Sequence, residues 1–158
     1  MTPTNSKPME WVREEFTVSC DPAKRNLQVI AEFLATSYWA KDVPLETVAR
    51  SLDGSLGFTL LERDRQIGFA RVVTDRATFA YLADVFVLPP WRGRGLATWL
   101  IECVVSHPEL QGLRRWMLAT RDAHDLYRRF GFTPLKKPET FMERHDPDVY
   151  SRARGTGR

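Results

Sequence analysis

Apolar and polar positions along this chain follow two different periods. From Asn26 to Ser37, Leu27, Ile30, Ala31 and Leu34 recur every three or four residues, which predicts a helix. A second helix is predicted over PLETVARSLD, with Pro44 in its first turn and Val48 and Leu52 on its apolar side. EEFTVSC, from Glu14, reads as a short first strand, and SYWAKDV as an aromatic connection between the two helices.

After Asp53 the pattern changes. SLGFTLLERDRQIGFARVV holds two apolar runs about a polar ERDRQ turn, a hairpin signal, and TDRAT leads into a third run, FAYLADVFVL. LATWLIECVVSH is apolar nearly all round, as suits a helix buried against a sheet. RRWMLAT reads as a further strand, DAHDLYRRF as a helix closed by Gly131, and FTPLKKPETFMERH as one or two edge strands. The predicted class is α+β, a mixed and mostly antiparallel sheet with helices on both faces. Residues 1–12 read as a flexible N-terminal lead, 13–145 as a single domain and 146–158 as a C-terminal tail.

Composition fits that layout. A chain of 158 residues that is 43% hydrophobic and 27% charged, without repeats, suits one globular domain. The N-terminus lacks a basic flank followed by an apolar run, and Asp84 and Glu102 interrupt the most apolar stretches, so neither a signal peptide nor a membrane span is expected. Cys20 and Cys103 stand far apart in sequence, without a CxxC or a histidine cluster. They predict neither a disulfide framework nor a metal site, and point to the reducing cytoplasm. Charge is uneven: residues 1–91 carry 10 Lys+Arg against 12 Asp+Glu, and residues 92–158 carry 13 against 8. An anionic ligand suits the second half; a solvated charged face is the simpler cause.

The basic half opens with WRGRGLATWL. A strand ends at Leu88, Pro89 and Pro90 prevent its continuation, and a helix begins near Gly95. The loop between them therefore sits at a helix N-terminus, where backbone N–H groups lack intrahelical partners. Glycines let such a backbone close around an anion, and Arg92 and Arg94 add positive charge. A P-loop would need lysine and a hydroxyl residue after its second glycine, where Leu-Ala-Thr stands. A dinucleotide fingerprint would need a glycine at position 98 and a preceding βαβ unit.

Arg92-Gly93-Arg94-Gly95-Leu96-Ala97 resembles the R/Q-x-x-G-x-G/A motif of the Gcn5-related N-acetyltransferase (GNAT) superfamily, and DAHDLYRRFGF resembles that family's later helix, with Tyr127 four residues before Gly131-Phe132. The likeness spans roughly Leu56 to Leu135. It implies a GNAT-like fold, acetyl-CoA as co-substrate and direct transfer of acetyl to a primary amine, without a metal. The diphosphate would lie on Arg92, Gly93, Arg94, Gly95, Leu96, Ala97 and Thr98. Pantetheine would pair as an extra strand with backbone about Phe86, Val87 and Leu88, provided that this strand and the next splay apart, a feature the resemblance implies.

Tyr127 is the candidate acid for the leaving thiolate, since a phenol titrates near ~10 and a thiol near ~8.5; it also shares a helical face with Ala123, Leu126 and Phe130 that could serve as core. Asp122 and Asp125 read as helix-cap and first-turn charges, and His124 as exposed. Asp84, placed on one strand face with Leu82 and Phe86, is the candidate base or ammonium anchor; pairing with Arg71 or Arg121, or capping a bulge, is the alternative. Tyr38, Trp39, Phe79 and Tyr81 are candidate acceptor-binding residues, although for at least two of them a place in the core or in the contact of a homodimer is the better reading. A small-molecule amine is the expected acceptor. The other readings are transfer to a protein N-terminus or lysine, and a non-catalytic CoA-binding sensor. Nucleic-acid binding is disfavoured, because the arginines are scattered without an aromatic platform.

Overall fold

The structure of the chain, a computed structural model, describes residues 7–156; residues 1–6 of the N-terminal lead and 157–158 of the C-terminal tail lie outside it. One sheet holds β1 (Glu10–Arg13), β2 (Phe16–Ser19), β3 (Leu56–Glu62), β4 (Arg65–Thr74), β5 (Phe79–Val87) and β6 (Arg115–Leu118) in sequence order. Every pair is antiparallel except β5 with β6. The sheet is therefore mixed and mostly antiparallel, as the sequence predicts.

Helices cover both faces. On one lie α1 (Leu27–Thr36) and α2 (Leu45–Asp53), which bury Ile30, Leu34, Val48 and Leu52 with Phe69 and Phe86 of the sheet. The Asn26 side chain caps α1 by accepting from the Val29 N–H at 3.1 Å. On the other face α3 (Leu96–Ser106) and the short α4 (His124–Arg128) pack Leu100, Val104 and Tyr127 against Val18, Phe58, Ile67 and Leu82. Gly68 marks the closest approach of two strands: a Cβ there would lie 2.6 Å from the Phe86 carbonyl oxygen, so only glycine fits.

Three elements differ from the sequence reading. Glu10–Arg13, all but its last residue in the stretch read as a lead, pairs with β2 through a turn in which Glu14 takes φ 54°. Phe132 to His145 forms no strand among the described residues; Pro134 and Pro138 interrupt it, and a 3-10 turn over Pro138–Thr140 replaces the expected edge. The tail contains a helix, α5 (Val149–Thr156), whose Tyr150 packs against the α1–α2 core.

Two irregularities in β5 shape the site. β6 pairs only with Phe79 to Leu82, while β5 runs on to Val87. Opposite β4 the register shifts: Phe69 faces Phe86 but Arg71 faces Ala83, so Asp84 and Val85 share the place of one residue. Asp84 stands at that bulge with φ 55°.

Candidate active site

The bulge changes which side chains share a face. Leu82 belongs to the core under α3 and Phe86 to the core under α1 and α2, so the expected common face of Leu82, Asp84 and Phe86 is broken between them. Both carboxylate oxygens of Asp84 are engaged. Oδ2 accepts from Arg71 Nε at 2.8 Å and Oδ1 from the Trp39 indole Nε1 at 2.9 Å, while Arg71 Nη1 also donates to the Ser55 hydroxyl at 3.1 Å. Of the two arginines considered for Asp84, Arg71 is the partner. Its side chain and that of Asp84 are 18% and 9% exposed, so the pair is largely desolvated.

Beyond the bulge, β5 leads to the glycine loop. Leu88 N–H donates to Ile67 C=O at 2.7 Å, and alternation along the strand turns the polar groups of Val87 the other way, toward the side that β6 leaves open. The Val87 carbonyl accepts from Arg92 Nε at 2.8 Å, which ties the loop to the strand end. Gly93 and Gly95 take φ 81° and 76°, and Gly95 starts α3 with no side-chain cap. The leading N–H groups of α3 thus face outward without intrahelical acceptors. A Cβ at either glycine would meet nothing within 4 Å. The loop is open in front, positively charged and lined with donors, as a diphosphate requires.

Across the gap, Tyr127 on α4 is 8% exposed and packs edge-on against Phe132 at 5.9 Å. Burial pushes its phenol up to about 12, with the nearby Tyr38 adding to the shift, so it is a neutral proton donor at pH 7. The expected Asp122 cap of α4 is absent; the Thr120 hydroxyl accepts from the Ala123 N–H instead, at 3.1 Å. Tyr38 reaches the same turn. Its hydroxyl accepts from the Arg121 N–H at 3.0 Å, and the Arg121 guanidinium lies 4.1 Å from its ring centroid.

A cavity of about 800 Å³ brings Tyr38, Trp39, Tyr81, Asp84 and Tyr127 together, while Phe86 to Leu88 and the glycine loop from Arg92 to Thr98 lie outside its lining. Phe79 opens β5 at the far end and does not line it, and neither does the exposed His124. The side chains of Phe86 and Val87 are buried in the two cores, which leaves their backbone as the only groups they can offer a ligand.

Residues 53–134 match the family model described as the acetyltransferase (GNAT) domain, just over half of the chain. The chain is a member of the GNAT acetyltransferase family. A Gibberella zeae protein named provisionally as an acetyltransferase is 32% identical over 145 residues, covering 77% of this chain and 81% of its own. A GNAT family structure from Xanthomonas campestris pv. campestris, likewise provisionally named, is 51% identical with a TM-score of 0.84, over 86% of this chain and 96% of that one. A Clostridium acetobutylicum acetyltransferase solved with acetyl-CoA is 16% identical with a TM-score of 0.52, over 78% and 86% of the two chains, and shares the fold.

Within this GNAT chain the cavity has one wall that sequence reasoning missed. Glu143, Arg144, His145, Asp146 and Tyr150 line it from the stretch around the start of the supposed tail. MERHDPDVY has no periodicity or motif that betrays the role; only the return of the chain across the sheet gives it.

Proposed function

We propose that this acetyltransferase moves acetyl directly from acetyl-CoA to the primary amine of a small molecule. The observation that carries the reading is the cavity in which Tyr127, Asp84 and the open side of β5 meet. Acetyl-CoA would supply the acyl group as an activated thioester. The N–H groups of Gly93 to Thr98 and the charges of Arg92 and Arg94 hold its diphosphate, while backbone near Val85 and Val87 takes the pantetheine amides. Leu88 contributes less than its position suggests, because its N–H is already given to Ile67.

As the C–N bond forms and the C–S bond breaks, Tyr127 protonates the departing sulfur, and the proton shed by the attacking nitrogen passes to solvent, from which the phenolate is restored. Burial raises this phenol as it raises the chain's own sheltered thiols, Cys20 and Cys103, so Tyr127 still carries its proton at neutral pH. Asp84, paired with Arg71, stands at the acceptor end beside Trp39, whose ring can meet an ammonium group; the Tyr38 ring is already faced by Arg121. Those two reduced cysteines also accord with a cytoplasmic location.

A panel of small amines, amino acids and peptides in a thiol-release assay tests the reading. Turnover with at least one small amine is expected. Turnover confined to peptides or proteins would replace the small-molecule acceptor with a macromolecular one, and turnover with none, while acetyl-CoA binds, would leave a sensor.

A further inference from the structure

Between the start of β6 and the chain after α4 lies another cavity, of about 640 Å³, which shares no lining residue with the acceptor cavity. Val105, near the end of α3, helps to line it, and ten residues of helix put that position about 15 Å from Gly95. It is a separate place on the molecule.

Its charge is one-sided. Arg114, Arg115, Lys136 and Lys137 line it, and no aspartate or glutamate does. All four cations are exposed, and none forms an ion pair among the described residues. The acceptor cavity differs, for there Asp84, Asp122, Glu143 and Asp146 offset the cations. Like charges gathered round one bowl repel each other, and a multiply charged anion relieves that repulsion.

The bowl is also aromatic. Trp116 and Phe132 meet edge to face at 6.3 Å and are half-buried, so each lends ring surface to the cavity. The Arg115 guanidinium lies 4.8 Å from the Phe141 ring centroid, which holds its charge in place. In sequence the two basic pairs stand more than twenty residues apart; the fold sets them round one set of rings.

We propose that this bowl binds a free nucleotide, its base against Trp116 and Phe132 and its phosphates across Arg114, Arg115, Lys136 and Lys137. Inorganic phosphate would use the charges and leave the rings idle. An acidic peptide spreads single charges along an extended backbone, whereas a cavity of this size suits a compact ligand. Phosphate takes arginine as a bidentate partner and lysine as a point charge, and both are present.

Isothermal titration of the full chain with ADP, adenosine, pyrophosphate and hexaglutamate tests this, together with Lys136→Glu/Lys137→Glu and Trp116→Ala. ADP should bind more tightly than the other three. The double charge reversal should weaken ADP by at least about tenfold, or 1.4 kcal/mol, and leave acetyl-CoA affinity unchanged. Trp116→Ala should weaken ADP but not pyrophosphate. ADP bound equally by parent and double variant would place it in the glycine loop and overturn the proposal. So would an absence of ADP binding, or adenosine, pyrophosphate or hexaglutamate binding as tightly as ADP.

Discussion

Arg71 Nε lies 2.8 Å from Asp84 Oδ2, across the bulge that turns β5. The contact joins adjacent strands at the point where Asp84 adopts φ 55°, a conformation that asparagine and aspartate tolerate better than other side chains. Asp84→Asn keeps that tolerance and an oxygen for Trp39, but it turns an amide donor toward the Arg71 guanidinium and leaves that charge unpaired, and should cost about 2 kcal/mol. Arg71→Ala leaves a desolvated carboxylate without its cation and should cost about 3 kcal/mol. Chemical denaturation ranks the two. Turnover of the folded Asp84→Asn enzyme then separates roles: a fall of about a hundredfold marks the charge as part of the reaction, and parental turnover leaves Asp84 as the holder of the bulge.

Tyr127→Phe retains the ring against Phe132 and removes the proton. If the phenol serves the leaving thiolate, turnover falls by about 10²–10⁴-fold while acetyl-CoA affinity is kept. Pre-steady-state measurement, in which chemistry is shown to limit the rate, decides it. A variant that melts about 1 kcal/mol lower with parental turnover would make this tyrosine a packing residue.

Gly95→Glu puts bulk and negative charge into the open space before α3, at a φ of 76°. Several charge-assisted hydrogen bonds of roughly 1.5–3 kcal/mol each are at stake, so acetyl-CoA binding should be lost by titration calorimetry. Gly95→Asn, which accepts the left-handed conformation without the charge, serves as the control for folding. Equal affinity in the folded Glu variant would move the diphosphate elsewhere.

His107, buried beside Phe58 and Trp11, has its pKa lowered by desolvation, and its Nδ1 accepts from the Glu109 N–H at 3.1 Å. Above its ordinary value near ~6.5 it is neutral whether the chain is folded or not. As pH falls through that value the unfolded chain takes up a proton that the folded one resists, so stability declines until the lower folded pKa is passed. Asparagine at this position keeps an acceptor and does not titrate. Melting curves between pH 7 and 5 should therefore fall less steeply for His107→Asn than for the parent, and parallel curves would show that this histidine contributes nothing to acid sensitivity.

Much of this chain is decided locally. The spacing of Leu27, Ile30 and Leu34, the apolar run of α3 and the prolines before two glycines determine helices, strand ends and the phosphate loop, because each rests on contacts or dihedral preferences within a few residues. β1 escaped that reading, since EWVR is short and its turn is made of two glutamates, without the residues that usually mark a hairpin. The expected strands after Phe132 and the unread helix α5 are opposite errors of one kind: short segments whose state is set by what they pack against. The site itself needed the tertiary structure. Tyr38 meets the Arg121 N–H across 83 positions, Trp39 meets Asp84 across 45, and the stretch from Glu143 to Tyr150 closes a cavity begun at Leu34. A bulge shifts the register by one residue and moves Asp84 and Phe86 to a different face from Leu82. No period in the sequence records that shift, because it is fixed by which strand lies alongside.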